Sequence, residues 1–255
     1  MTGVDFTPTT YHGPDGPVIQ TGIGVICPFD MSLDHELWRW MPENISLYFT
    51  RTPYVDEPVS VALAEGVSSA ADVFDAARAL SAVRPEVMAY ACASGSFIHG
   101  VAGAHKISAA MEHGGARRAI TTSEALLEAL THLSVGRVAV ATPYVPELTE
   151  RLGSFLQEAG CSVTSQFSLG LEHNIWEVPY SVTYDLIRRA DSPEADVIFV
   201  SCTNLPTYDI ITQLEQELGK PVISANQVTI WAALRAIDKS AVGPGQSLLA
   251  ASKRA

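Results

Sequence analysis

The sequence predicts an α/β fold of two pseudosymmetric lobes, each a parallel sheet flanked by helices, with an active site in the interlobe cleft. Three observations predict it. Apolar runs of Val, Ile and Ala, of the kind buried on both faces of a parallel sheet, alternate with longer helical patterns. The chain also repeats itself: "GVICPFDMSL" (24–33) and "VAVATPYVPEL" (138–148) each read as a strand, a small residue, a proline, an aromatic residue and a polar helix start, with Pro28 and Pro143 115 residues apart. Finally, strand-to-cysteine turns at Cys92 and Cys202 recur at nearly the same offset, 110 residues, as expected of a duplicated unit.

The elements follow in order. A first strand, "TGIGVICP" (21–28), leads through a helix at 70–83 to the strand "EVMAYAC" (86–92). A helix at 123–133 precedes the strand "RVAVATP" (137–143), and two helices at 147–160 and 178–190 precede the strand "DVIFVSC" (196–202). A helix at 208–219, the strand "PVISAN" (221–226) and a helix at 228–237 complete the set. Residues 1–118 form the first lobe, which the C-terminal helix region 227–255 rejoins, and residues 119–226 form the second. The tail "GPGQSLLAASKRA" is expected to fray.

Composition narrows the function. With 255 residues and 47% hydrophobic content the chain can bury one large core or two. A net charge of −12 with 16 scattered Lys and Arg argues against a nucleic-acid partner, which demands clustered cations. The first 17 residues lack a basic and an apolar region, so no signal peptide is expected. Nor is there an apolar run of about 18 residues, so the expectation is a cytoplasmic protein with no membrane partner. The four cysteines, Cys27, Cys92, Cys161 and Cys202, show no zinc-type spacing and are expected as free thiols.

Chemistry concentrates at two of them. Ser94 follows Cys92, and Thr203 and Asn204 follow Cys202. Such turns aim backbone N–H groups into a cleft, with a helix following at least in the second case, and favour thiolate over thiol and a bound carboxylate without arginine. Buried as small hydrophobes, Cys27 and Cys161 read as structural. Tyr144, after the proline of the second repeat, can offer a phenol to a ligand, and Asn174 an amide. His99 stands one turn beyond Cys92 as a proton-relay candidate, whereas Asp30 and Asp34 read as cap and first-turn acids of a helix.

The stretches "VAVATPYVPELTERLGSFLQEAG", "SCTNLPTYDIITQLEQELGKPVISANQ" and "CASGSFIHG" resemble the aspartate/glutamate racemase superfamily, in its maleate cis-trans isomerase and arylmalonate decarboxylase branch. The resemblance runs from Gly22 to about Ile237. It implies two lobes, no metal and no organic cofactor, a small carboxylate substrate, and catalytic cysteines at Cys92 and Cys202. It further implies Tyr144 as the holder of a substrate carboxylate, Pro28, Ser94, Thr203 and Asn204 around it, and Asn174 near the substrate. Isomerases and racemases of the branch keep both cysteines, whereas the decarboxylase has glycine at the first. The turn "CPFDMSLD" departs from the Ser-Asn pair that maleate isomerases typically carry after the proline.

The expected function is therefore cofactor-independent isomerisation of a small mono- or dicarboxylic acid, like that of a maleate cis-trans isomerase, by thiolate addition at Cys92 and acid/base work at Cys202. A racemase or a malonate-type decarboxylase on the same site stays open, as does a non-catalytic bilobal protein that closes on an anion. Oligomeric state varies among relatives, which leaves a homo-oligomer open.

Overall fold

The computed structural model describes residues 20–251. The N-terminal 17 residues read against a signal peptide, and the last four of the tail, lie outside them. The first half of the chain runs β1 (Thr21–Cys27), α1 (Asp34–Trp38), β2 (Ile45–Arg51), α2 (Val61–Val67), α3 (Ala70–Leu80), β3 (Val87–Tyr90), α4 (Ala93–Phe97), α5 (Gly100–His113), β4 (Ala119–Thr121) and α6 (Thr122–Leu133). The second half runs β5 (Arg137–Thr142), α7 (Pro146–Glu158), β6 (Ser162–Ser168), α8 (Tyr180–Ala190), β7 (Val197–Val200), α9 (Ile211–Leu218), β8 (Val222–Ser224), α10 (Ala225–Ala236) and α11 (Ser247–Ala251).

The strands build two four-stranded sheets in the orders β2-β1-β3-β4 and β6-β5-β7-β8, with every pair parallel. One order maps onto the other strand for strand, so the repeat seen in sequence is a repeat of topology. Parallel pairing requires a crossover between neighbours, and helices supply it here. The central strands β3 (VMAY) and β7 (VIFV) are buried at every residue, as a strand covered by helices on both faces must be. Because the strands run parallel, β1, β3, β5 and β7 deliver Pro28, Cys92, Tyr144 and Cys202 from their carboxyl ends, where ligands gather in open α/β sheets.

Four features differ from the sequence expectation. Strands β2 and β6 were not foreseen; both lie at sheet edges and are only partly buried, so neither reads as a continuous apolar run. Strand β4, at Ala119–Thr121, pairs with β3, so the first sheet continues past residue 118. "PVISAN" is a strand only at Val222–Ser224. There the Ser224 hydroxyl accepts from Gln227 N and caps α10, which packs on α6 and β3. The tail does not fray where it is described. Leu248 is buried, and the Gln246 side-chain oxygen accepts from the Trp40 indole (2.8 Å) and the Gln227 amide (2.7 Å). A buried indole N–H needs an acceptor, and the tail supplies it.

The lobes are joined through a buried carboxyl. Glu36, on α1, accepts from Thr207 N (3.0 Å), Thr207 Oγ1 (2.8 Å), Tyr208 N (3.4 Å) and Asn226 Nδ2 (3.1 Å). Asn226 also donates to Thr203 O (3.0 Å), so the network reaches the turn that carries Cys202.

Candidate active site

Each cysteine is presented by a different device. Cys92 is the N-cap of α4: its backbone is extended, and its sulfur accepts the Gly95 N–H at 3.4 Å in the manner of a capping serine. The Ser94 hydroxyl stands 3.8 Å from the same sulfur. Below it the Tyr90 hydroxyl spends its proton on the Val67 carbonyl (2.6 Å), so toward Cys92 it can only accept. A helix thus follows Cys92 directly.

No helix follows Cys202 directly. Pro206, lacking an N–H, cannot bond back to the Cys202 carbonyl; the chain instead makes a turn, Leu205 N to Cys202 O at 3.3 Å, and α9 begins only at Ile211. Within that turn Asn204 N donates to the Cys202 sulfur at 3.4 Å. Cys202 itself has φ +91°, a left-handed conformation that a β-carbon disfavours and that concentrates at functional sites.

Both sulfurs line one cavity of about 40 Å³, walled by Pro28, Asp30, Val59, Leu63, Val67, Ala93, Ser94, Tyr144, Ile175, Thr203 and Asn204. That is room for a carboxylate-sized group and little more. Seven of the eight residues singled out from sequence thus meet here. The eighth, Asn174, does not. It adopts φ +54° ahead of a single 3-10 turn (Ile175–Glu177) and lines an adjoining outer cavity of about 320 Å³ that shares Asp30, Val59, Leu63 and Ile175 with the inner one.

Side-chain bonds refine what the wall can do. The Thr203 hydroxyl donates to Ala91 O (3.2 Å), and the Asn204 amide is a clamp, donating to Asp30 O (2.9 Å) and accepting from Ser32 N (2.8 Å). These two side chains bridge the lobes. Tyr144 is buried with its hydroxyl 3.3 Å from Ser201 Oγ, beside Cys202. The outer mouth is crossed by one main-chain bond between the lobes, Val59 N to Glu172 O at 2.8 Å.

The electrostatics overturn one expectation. The turns were expected to favour thiolate, yet both thiols are pushed up, Cys202 to about 12. Burial is the largest cause for each, and it outweighs the Gly95 N–H and Ser94 hydroxyl at Cys92 and the Asn204 N–H and Tyr144 hydroxyl at Cys202. The nearby Asp30 charge raises both further. Burial likewise raises the Asp30 carboxyl, against its own N–H, Asn204 and Arg51. The thiols of this site therefore rest protonated at neutral pH.

Other assignments resolve plainly. His99 is exposed and lies outside both cavities, lining a separate pocket with Lys106 and Glu65. Cys27 is buried and donates to Thr50 O at 3.3 Å, and Cys161 lines neither cavity, both as structural thiols. Asp34 does lie in the first turn of α1, but Asp30, also read as a helix acid, is a wall of the cysteine cavity. Among the described residues no group of three or more His, Cys, Asp or Glu is placed to hold a metal ion. Nor, among them, is any helix long and apolar enough to cross a membrane.

A sequence model of arylmalonate decarboxylase matches residues 63–250, most of the chain and both cysteine turns. The chain belongs to the arylmalonate decarboxylase family. Arylmalonate decarboxylase of Bordetella bronchiseptica is 35% identical over 167 residues, covering 64% of this chain and 70% of that protein. Maleate isomerase of Nocardia farcinica is 29% identical over 173 residues, covering 65% and 69%. The crystal structure of a maleate isomerase from Pseudomonas putida superposes with a TM-score of 0.80 at 26% identity, covering 90% of this chain and 98% of the other. Like these relatives of the arylmalonate decarboxylase family, the chain is an enzyme.

Proposed function

We propose that the protein is a cofactor-independent isomerase of a small carboxylic acid, with Cys92 and Cys202 as its two reacting groups. The observation that carries this reading is that thiols from equivalent strand ends of the two lobes line one inner cavity. The relatives named maleate isomerase support it.

For a cis-enoic acid the chemistry runs as follows. Cys92 passes its proton to the incoming substrate carboxylate and, as thiolate, adds to one carbon of the double bond, forming a C–S bond and moving the π pair toward that carboxyl group as an enol. The Cys202 thiol gives its proton to the neighbouring carbon, which leaves a single bond free to rotate. Cys202, now thiolate, takes back a proton from that carbon as the C–S bond breaks, and the trans acid leaves. Pro28, Thr203 and Asn204 frame the pocket, while the hydroxyls of Ser94 and Tyr144 and the N–H groups of both turns hold the carboxylate and the charge that grows on it. Asn174, from the outer cavity, contacts the part of the substrate that projects outward.

A thiol at about 12 stays protonated and serves as acid, which fits Cys202. Racemisation or decarboxylation of a carbon acid would use the same two groups without the C–S bond.

Maleate, its monoamide maleamate and a panel of chiral α-substituted acids, incubated with the enzyme in deuterated water and followed by NMR, separate these outcomes. We expect a trans product from at least one cis-enoic acid, lost in Cys92→Ser. Deuterium entering a stereocentre of a saturated acid, with no cis-trans conversion, would replace isomerisation by racemisation or decarboxylation.

A further inference from the structure

The inner cavity carries one group that the proposed chemistry leaves unused. Asp30 follows Pro28 by two residues in the loop after β1, and of the four side chains that the two cavities share it is the charged one, lining the inner cavity with Cys92, Cys202 and Tyr144 and the outer one with Asn174. Its position is fixed. The Asn204 amide and the Ser32 hydroxyl both bond its main-chain carbonyl, at 2.9 and 3.2 Å. Arg51 Nη1 donates to the carbonyls of Pro28, Phe29 and Met31, at 3.3, 3.2 and 2.7 Å, and so clamps the loop on either side of it.

Arg51 is thereby committed to main chain, and no ion pair to Asp30 forms among the described residues. Among the described residues no lysine or arginine lines either cavity, whereas Asp56, Glu57 and Glu172 join Asp30 on the outer one, with His173 beside them. The neutral donors of the inner turns, hydroxyls and N–H groups, are therefore the place for a substrate carboxylate, since four acids outnumber the donors His173, Asn174 and Trp176 on the outer wall. Its other end must pass Asp30, and a second carboxylate there would face a like charge in a partly desolvated place, where the nearby charge of Arg51 is already shared among three carbonyls. A nitrogen bearing hydrogens would find an acceptor instead.

We infer that Asp30 is a specificity-determining residue: it selects acids with one carboxylate and an N–H-bearing group, an amide or amine, at the other end, and rejects dicarboxylates. The inference rests on the reading of this cavity as the active site, and it narrows the substrate class within that reading.

Binding of two saturated probes decides it without relying on turnover. Succinate and succinamate differ only by a carboxylate replaced with a carboxamide, and neither has a double bond to isomerise. Calorimetric titration of the native enzyme should show succinamate bound at least about tenfold more tightly than succinate. In Asp30→Asn, and in Asp30→Ala as a second variant, that ratio should shrink by about tenfold or invert, through tighter succinate binding. An equal ratio in native and variant proteins overturns the inference, as does native preference for succinate or failure of both probes to bind. Selective succinamate binding by an enzyme that isomerises none of the cis-enoic acids would refute the proposed chemistry and leave the role of Asp30 standing.

Discussion

Cys202→Gly is expected to lower kcat/KM roughly a thousandfold, the usual contribution of a positioned acid/base group, while leaving the fold as stable as before to within about 1 kcal/mol. The two halves of this expectation have separate causes. Turnover fails because the second thiolate, which takes the proton back from the adduct, is gone, and Tyr144, beside it, has a hydroxyl pushed well above the ordinary tyrosine range by burial and so supplies no base. Stability holds because Cys202 sits at φ +91°, where a β-carbon is strained by about 1–3 kcal/mol and glycine is not. The relief offsets the loss of a small buried side chain. Steady-state kinetics and urea unfolding on the same preparation check both halves. A variant that loses activity in proportion to lost stability would show that Cys202 serves the fold and not the reaction.

Glu36→Ala is expected to destabilise the protein by about 3–5 kcal/mol. The carboxyl is buried and accepts four hydrogen bonds, from Thr207 N, Thr207 Oγ1, Tyr208 N and Asn226 Nδ2. Alanine leaves all four donors without that acceptor, in a place that water does not reach. The loss is transmitted further, since Asn226 also holds Thr203 O, one residue from Cys202. Glu36→Gln keeps the shape but turns one acceptor into a donor among donors, so it should fall between alanine and native. Denaturant midpoints for the three proteins give the order, and equal midpoints would show that the four bonds contribute nothing net.

The central strands were legible in sequence because burial on both faces imposes an uninterrupted apolar run, as in "DVIFVSC" and "EVMAYAC". The edge strands β2 and β6 were not, since their half-exposed residues tolerate Ser, Thr and Gln and break the run. The thiol pair was legible for a reason that single-residue reasoning lacks: two motifs at one offset imply equivalent places in two lobes, and the strand orders of the sheets agree. Asp30 escaped because an acid near a helix start has a local explanation in capping, and nothing local distinguishes a cap from a cavity wall. The thiolate expectation failed similarly. The N–H groups that favour thiolate are encoded beside the cysteines, whereas Val59, Leu63, Val67 and Ile175, whose bulk desolvates them, come from distant segments.

His99 and Asn174 mark the same limit from the other side. His99 lies only seven residues beyond Cys92 in sequence, yet α4 ends at Phe97 and His99 caps the next helix, α5, where it is exposed. The left-handed backbone of Asn174 places it on the outer rim, a step from the sulfurs.

The most direct test of a shared two-thiol cavity is mass spectrometry of the Cys202→Gly protein quenched during incubation with maleamate. Water entering the space left by the Cys202 side chain protonates the enol slowly, while the thiolate that takes the proton back is gone, so a substrate adduct should accumulate on the peptide that carries Cys92. An adduct on Cys27 or Cys161 instead, or free Cys92 alongside undiminished turnover, would contradict the account.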